Sequence, residues 1–351
     1  MKKYLSVILY ALFLVSGSIC FAQNIEPQKA SIEETLVIGT SDSNPDYFFG
    51  DLSYASLAVD ENRKIYVPDN TEMSIKVYDK KHKNLLVLDY MSQRASFFDK
   101  EGNLKQSVKI DPKKISWPRK VLPHKNGYLV LAKSRRSSKS LFTVYDNQFQ
   151  TKQAEFGSIN RFLYTDYFGE KAHYGFDPGS MAVMDNKIYY APPFYRGFIY
   201  RFQNTKDIQS IKGYIYKKKP YLVLDIKSER YNKNDIAKPY HINGRTRGQR
   251  YTMRLHNYHR GVFITNRGKL VNFTMIENKE TRDFGVEIFD IATNELLNYY
   301  VLESVPLENN VAVNISKFPK AIDSENNFYM IEYGDKHLVK RFRLNVPELQ
   351  Q

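Results

Sequence analysis

The residues best suited to chemistry in this chain lie between Lys212 and Arg260. That stretch carries 13 lysines and arginines against three acids, Asp225, Glu229 and Asp235, and seven tyrosines are interleaved with them. Arginine forks grip carboxylate, sulfate or phosphate through two oxygens at once, and a tyrosine offers a flat apolar face with a polar tip. The combination suits an anionic sugar or a lipid headgroup. A solvated basic connection that only keeps the protein soluble has the same composition, so both readings stay open.

Other chemistry is thin. His256-Asn257-Tyr258-His259 sets two imidazoles three positions apart, but on a strand such positions face opposite ways and no helix is expected here. The pair is read as part of a solvated loop, and no metal or cofactor is expected. The chain has no nucleophile elbow, no phosphate loop and no metalloprotease helix motif. Its single cysteine, Cys20, lies in the leader described below.

A repeat must position the basic stretch. One hairpin phrase, a short apolar strand, a polar turn and a second strand closing on an aromatic residue, recurs six times. It begins as Ile65-Tyr66-Val67-Pro68-Asp69 with Ile75-Lys76-Val77-Tyr78-Asp79, then Leu86-Val87-Leu88-Asp89 with Ala95-Ser96-Phe97-Phe98-Asp99. Later copies start at Tyr128, Ile188, Leu270 and Phe328. A further short strand precedes most copies, as in Leu57-Ala58-Val59-Asp60 and Met181-Ala182-Val183-Met184-Asp185, and a fourth stretch follows several. Four meandering strands per unit is the blade of a β-propeller, and 27 tyrosines and 22 phenylalanines suit half-buried pleated surfaces. Aspartates recurring at strand ends (Asp60, Asp69, Asp79, Asp89, Asp99, Asp146, Asp185, Asp290, Asp323) are read as turn caps.

The phrase Leu57-Ala-Val-Asp-Glu-Asn-Arg-Lys-Ile-Tyr-Val-Pro-Asp with Ile75-Lys-Val-Tyr-Asp resembles the NHL-type repeat of six-bladed propellers. Over most of residues 33–345 the chain looks like the exported TolB-like propellers of Bacteroidetes-type bacteria. The resemblance implies an all-β propeller, with six blades favoured and five the alternative. Two hairpins joined directly across 79–86 leave no room for an outer and an inner strand, so either two blades have shed strands there or the hairpins share one blade. Glu34-Thr35-Leu36-Val37-Ile38-Gly39 is a lone strand, expected to close the ring by pairing in the last blade.

Residues 1–22 read as a secretory signal peptide: Lys2 and Lys3, an apolar run from Leu5 to Val15, and small residues before a cut after Ala22. A lipid anchor on Cys20 is the less favoured reading, because Ile19 is a poor residue before a lipidated cysteine. Residues 23–32 are expected to be a flexible segment, 33–345 the propeller with a basic insert near 213–260, and 346–351 a tail. Removing the leader leaves 50 lysines and arginines against 38 acids. A basic exported protein, periplasmic or extracellular, meets anionic glycans, lipopolysaccharide or envelope proteins rather than nucleic acid, and no later apolar run is long enough to span a membrane.

In a propeller the loops joining second to third strands share a rim with those leading into each blade. That rim collects Arg94, Arg135, Arg136, Tyr195 and Arg196 with Arg245, Arg247, Arg250, Tyr251, Arg254, His256 and His259, the candidate anion-binding residues. Acids such as Glu277 and Asp283 share it. The functional expectation is an exported binding propeller. The alternative is a propeller enzyme, since six-bladed relatives include lactonases, esterases, lyases and hydrolases with catalytic groups lining the channel. The inner strands offer Asp60, His124, Asp185, Asn266 and Asp323 for that role, a sparse set.

Overall fold

The computed structural model describes residues 25–38, 57–67, 74–79, 84–89, 92–99, 101–111, 118–132, 140–158, 179–192, 195–215, 221–225, 241–246, 249–255, 257–278, 280–306, 319–332 and 338–350.

Five blades radiate from a common centre. The first is β5 (Ser74–Asp79), β6 (Asn84–Asp89), β7 (Arg94–Phe98) and β8 (Leu104–Lys109), antiparallel throughout. The second is β9 (Pro118–His124), β10 (Gly127–Ala132), β11 (Ser140–Asp146) and β12 (Lys152–Ser158), and the third β13 (Ser180–Met184), β14 (Lys187–Ala191), β15 (Phe198–Phe202) and β16 (Ile208–Lys212). The fourth is β20 (Asn257–Ile264), β21 (Lys269–Glu277), β22 (Thr281–Asp290) and β23 (Glu295–Pro306). The fifth is β24 (Pro319–Ile322), β25 (Phe328–Glu332) and β26 (Leu338–Asn345), completed by β2 (Ser31–Ile38) from the other end of the chain. The N-terminal strand therefore closes the ring as the sequence implies: Ile32 lies opposite Leu344 and Ile38 opposite Val339. Just before it, β1 (Gln28–Lys29) adds a parallel fifth strand to the fourth blade, so part of the segment read as flexible is paired backbone.

The strands are apolar on both faces because each blade is sandwiched between two others. In β10, Leu129 and Leu131 pack toward the third blade while Tyr128 and Val130 pack toward the first. Alternate side chains take opposite faces of a strand, so a strand buried on both sides reads as a continuous apolar run. The same alternation builds the seams between third and fourth blades (Tyr189, Ile199, Leu270, Phe289) and between fourth and fifth (Phe263, Phe273, Phe328, Phe342). Val346, after β26, is fully buried in the latter seam, and the short helix α1 (Pro347–Gln350) that follows it anchors through Glu348, which accepts from Tyr300 Oη at 2.8 Å.

The repeat count of six resolves differently from the favoured expectation. The innermost strands contact one another in the order β3, β5, β9, β13, β20, β24 and back to β3, where β3 is Ala58–Val59. That sixth sector consists of β3 and β4 (Ile65–Tyr66) alone among the described residues. Among the described residues Ile65 and Tyr66 pair with Val59 and Ala58, and β5 opens the first blade, Ile75 opposite Leu88 and Tyr78 opposite Leu85. The short 79–86 junction is thus the hairpin between β5 and β6, inside one complete blade. An apolar strand phrase does not encode whether it serves as an inner or a third strand, and that ambiguity produced the extra blade.

The basic insert folds as its own antiparallel sheet, with β19 (Gln249–Leu255) between β17 (Tyr221–Asp225) and β18 (His241–Thr246). Among the described residues no helix is long and apolar enough to cross a membrane.

Candidate functional site

Two polar constructions interrupt this apolar ring. The first is in the central channel. Lys120 stands on inner strand β9, yet its Nζ donates to Ser180 Oγ of β13 at 3.3 Å and lies 5.1 Å from the centre of the Phe263 ring on β20. Lys320 of β24 is close enough to repel it. A single ammonium that reaches the inner strands of four blades must lie in the channel. Among the described residues no carboxylate pairs with it. Desolvation first, and Lys320 second, pull its pKa down to about 8. Ser180 Oγ also accepts from Val262 N at 3.4 Å, so its two described hydrogen bonds are both accepted.

The second is a wall of the seam between the third and fourth blades. Alternation along β20 to β23 turns one face of the fourth blade toward the third. The half of this face farther from the insert is apolar, with Val262, Leu270 and Phe289 packed on Tyr189 and Ile199. The half at the rim carries Asn257, His259, Asn272, Thr274, Asp283, Glu287, Tyr299 and Ser304. Glu287 is at its centre and fully buried. Its carboxylate accepts from Tyr195 Oη at 2.5 Å, Asn272 Nδ2 at 2.7 Å and the backbone amide of Tyr214 at 2.7 Å. Burial raises its pKa, against the pull of those three donors. Because the Asn272 amide donates to Glu287, its oxygen faces His259, and the 2.7 Å contact there places the proton on His259 Nδ1.

Glu287 ties down the rim. Tyr195 belongs to the connection between β14 and β15, and Tyr214 is the second residue after β16, where the chain leaves for the insert. Gly213 must be glycine for this: a Cβ would stand 2.0 Å from Tyr195 Oη and 2.6 Å from Glu287 Oε1. The Tyr214 and Tyr299 rings stack with centres 4.2 Å apart. Beside the network, Asn257 Oδ1 and Nδ2 are buried without a hydrogen-bond partner among the described residues. Nearer the rim, Glu277 and Arg282 form a buried ion pair at 2.7 Å, and Asp283 accepts from Thr281 and Ser304 hydroxyls at 2.9 and 2.7 Å.

The structure separates the candidate residues of the sequence. Tyr195 and His259 meet in the Glu287 network, as buried elements and not as open ligands for an anion. Arg196, half-buried, follows Tyr195 on the same connection. Arg94 is exposed at the start of β7 and donates to Ser107 Oγ at 3.2 Å, away from the seam. Arg245, Arg250, Tyr251 and Arg254 are on the insert sheet, Arg250 opposite Arg245 and Arg254 opposite both His241 and Leu222. Arg135, Arg136, Arg247 and His256 lie outside the described residues. Sequence reasoning missed Lys120, Ser180, Asn272 and Glu287. A signal for two of them exists: Asn272 and Glu287 are lone polar positions in runs that are otherwise apolar (Leu270-Val-Asn-Phe, Val286-Glu-Ile-Phe).

No family model matches the chain, and no curated protein does. The fold is similar to that of a member of the DUF4221 family from Bacteroides vulgatus, at a TM-score of 0.53 and 10% identity over 91% of this chain and 99% of that one. A candidate exported protein of Bacteroides fragilis superposes with a TM-score of 0.47 and 11% identity, covering 90% of this chain and 96% of its own. A streptogramin B lyase gives 0.42 and 10%, covering 90% and 98%. The first of these likenesses establishes the β-propeller, and fold does not carry function.

Proposed function

We propose that this is an exported binding propeller whose channel and basic rim hold an anionic component of the cell envelope, an acidic glycan or lipopolysaccharide. The observation that supports it is Lys120: an ammonium drawn into the channel beside Lys320, with no described carboxylate to neutralise it. A desolvated ammonium repelled by a neighbouring cation gains from an anion bound beside it. The surplus of cations, and the 13 of them between Lys212 and Arg260, would draw polyanions toward the same rim. The signal peptide read over residues 1–22 supports export.

Binding to immobilised polygalacturonate, dextran sulfate and lipopolysaccharide, with neutral dextran as control, tests the reading. Expected is a preference for the anionic supports that weakens steeply between about 50 and 500 mM salt, as exposed charge interactions do. Lys120→Met should weaken binding at least several-fold. Equal binding to neutral dextran, or none to any anionic support, would overturn it.

A further inference from the structure

A cavity of about 520 Å³ opens at the end of β20 farther from the insert, a size typical of small-molecule sites. There the β20–β21 turn of the fourth blade meets the β24–β25 turn and last strand of the fifth. We propose that this cavity binds a small zwitterion with an apolar side chain, a free amino acid or a dipeptide. Arg343 and Arg267 receive its carboxylate, Glu33 its ammonium, and Leu344 and Leu349 its side chain. The site is separate from the channel and does not rest on the polyanion reading.

Its wall is preformed. Asn266 N donates to Asn326 Oδ1 at 3.0 Å, and Asn326 Nδ2 donates back to Asn266 Oδ1 at 2.9 Å. Asn266 Nδ2 also donates to the Ser324 carbonyl at 2.7 Å. These bonds lock the turns of two blades together, so a ligand need not order them on arrival. The two asparagines are engaged with their own wall, which leaves the charged groups to select the ligand.

Four charges line the cavity, two of each sign. Glu325 is already held by Arg63 at 2.9 Å. Glu33 and Arg343 stand directly opposite each other on β2 and β26, a placement that suits an ion pair. Yet they form none: Arg343 Nε donates to Asn327 Oδ1 at 3.3 Å, and the Glu33 carboxylate has no partner among the described residues. Arg267 donates through one Nη to the Leu349 carbonyl at 3.4 Å and meets no described carboxylate. Both guanidiniums therefore keep donors in reserve, and an arginine fork grips a carboxylate through two oxygens. A simple anion would meet Glu33 beside Arg343, and a simple cation would meet the arginines. A molecule carrying both charges is opposed by neither. Leu344 is buried and Leu349 half-buried in the seam between fourth and fifth blades, and together they give the cavity its apolar patch.

Calorimetric titration with leucyl-leucine, its N-acetyl form, its C-terminal amide and diglycine tests the assignment. Expected is binding of leucyl-leucine that weakens about tenfold or more in each of the other three, as one charge-assisted contact or the apolar side chains are lost. Arg343→Gln should lower the affinity and shrink the preference for the free carboxylate. Glu33→Gln should remove the preference for the free ammonium and keep that for the carboxylate. Both residues are exposed, so each variant should retain the wild-type thermal transition. The wild-type ligand series decides the matter even if a variant does not fold. Salt-sensitive binding to dextran sulfate should survive in both variants. No binding of leucyl-leucine, equal binding of the blocked forms, or preferences unmoved by the variants would overturn the site and leave the polyanion reading standing. Loss of dextran sulfate binding in Arg343→Gln would assign that arginine to the polyanion surface and overturn the site as well.

Discussion

The phenol of Tyr195 and the carboxylate of Glu287 meet at 2.5 Å across the seam between two blades, 92 residues apart in the chain. Both are fully buried, and Asn272 and the Tyr214 amide converge on the same carboxylate. This one acid links the connection before β15, the segment leaving β16 and the central strands of the next blade.

Replacing Glu287 should therefore be expensive. Glu287→Ala strands two buried donors and the half-buried Tyr214 amide, and each unmet buried donor costs about 1–3 kcal/mol. Glu287→Gln keeps the shape but turns one acceptor into a donor that faces another donor, so a loss of roughly 1–3 kcal/mol is expected. Chemical denaturation of the two variants checks the order, with alanine the worse.

The same residue gives stability a pH dependence. Its folded pKa is raised, so the folded state holds a proton that the unfolded state has released. The associated stability is fully present below the ordinary carboxylate range and is lost as pH rises through the folded pKa. Between those limits wild type should lose stability with rising pH, and Glu287→Gln should remove that component of the slope. Denaturation midpoints taken from pH 4 upward would show it; parallel curves for the two proteins would refute it.

Much of this architecture is legible in the sequence, for a physical reason. A blade is a local object: consecutive strands pair through short turns, so the hairpin phrases and closing strand Ser31–Ile38 reveal the propeller directly. Turn caps are equally local. Asp60 accepts from the amides of Asn62 and Lys64, and Asp323 from those of Glu325 and Asn327, as recurring strand-end aspartates suggest. What fails is anything set by seams. Whether Ile75–Asp79 is an inner or a third strand depends on its neighbours in the ring. That Lys120 meets Ser180, Phe263 and Lys320 depends on four blades at once, with no spacing in the chain to announce it. The basic insert drew attention by composition, which records charge but not where burial will make charge matter.

The caps are equally buried but differ in the number of donors they hold, and so in worth. Asp323 is buried and takes two backbone amides together with Asn327 Nδ2 at 2.9 Å and Tyr329 Oη at 2.8 Å. Asp60 takes two amides and Tyr66 Oη at 3.1 Å. Asp323→Ala should cost about 2–4 kcal/mol, since four donors lose an acceptor, and Asp60→Ala, which releases three, less. Thermal unfolding of both variants would settle the order.

Unpaired atoms on the polar wall predict the opposite sign. Asn257 Oδ1 and Nδ2 are buried without a partner among the described residues, and a buried amide in that state is a net cost. Asn257→Leu keeps much of the shape and should leave stability unchanged or raise it by up to about 1 kcal/mol. A fall of more than that would mean that bound water or a ligand satisfies the amide in solution.

The sector of β3 and β4 should be the weakest part of the ring. Among the described residues two strands of two residues each bridge β24 and β5, where every other sector presents four or more strands. Leu57 and Val59 bury against Tyr329, Ile331 and Val339, a small apolar face among the described residues. Local opening costs little where few contacts and few ladder hydrogen bonds are lost. Amides of residues 58–66 should exchange with solvent well before those of residues 270–289, which belong to the longest central strands of the ring. Amides of residues 84–98 should also outlast 58–66, because β6 and β7 are the interior strands of a complete blade. Exchange mass spectrometry over those three segments decides the matter. Protection of 58–66 equal to that of 270–289 would show that this sector holds the ring as firmly as a full blade does.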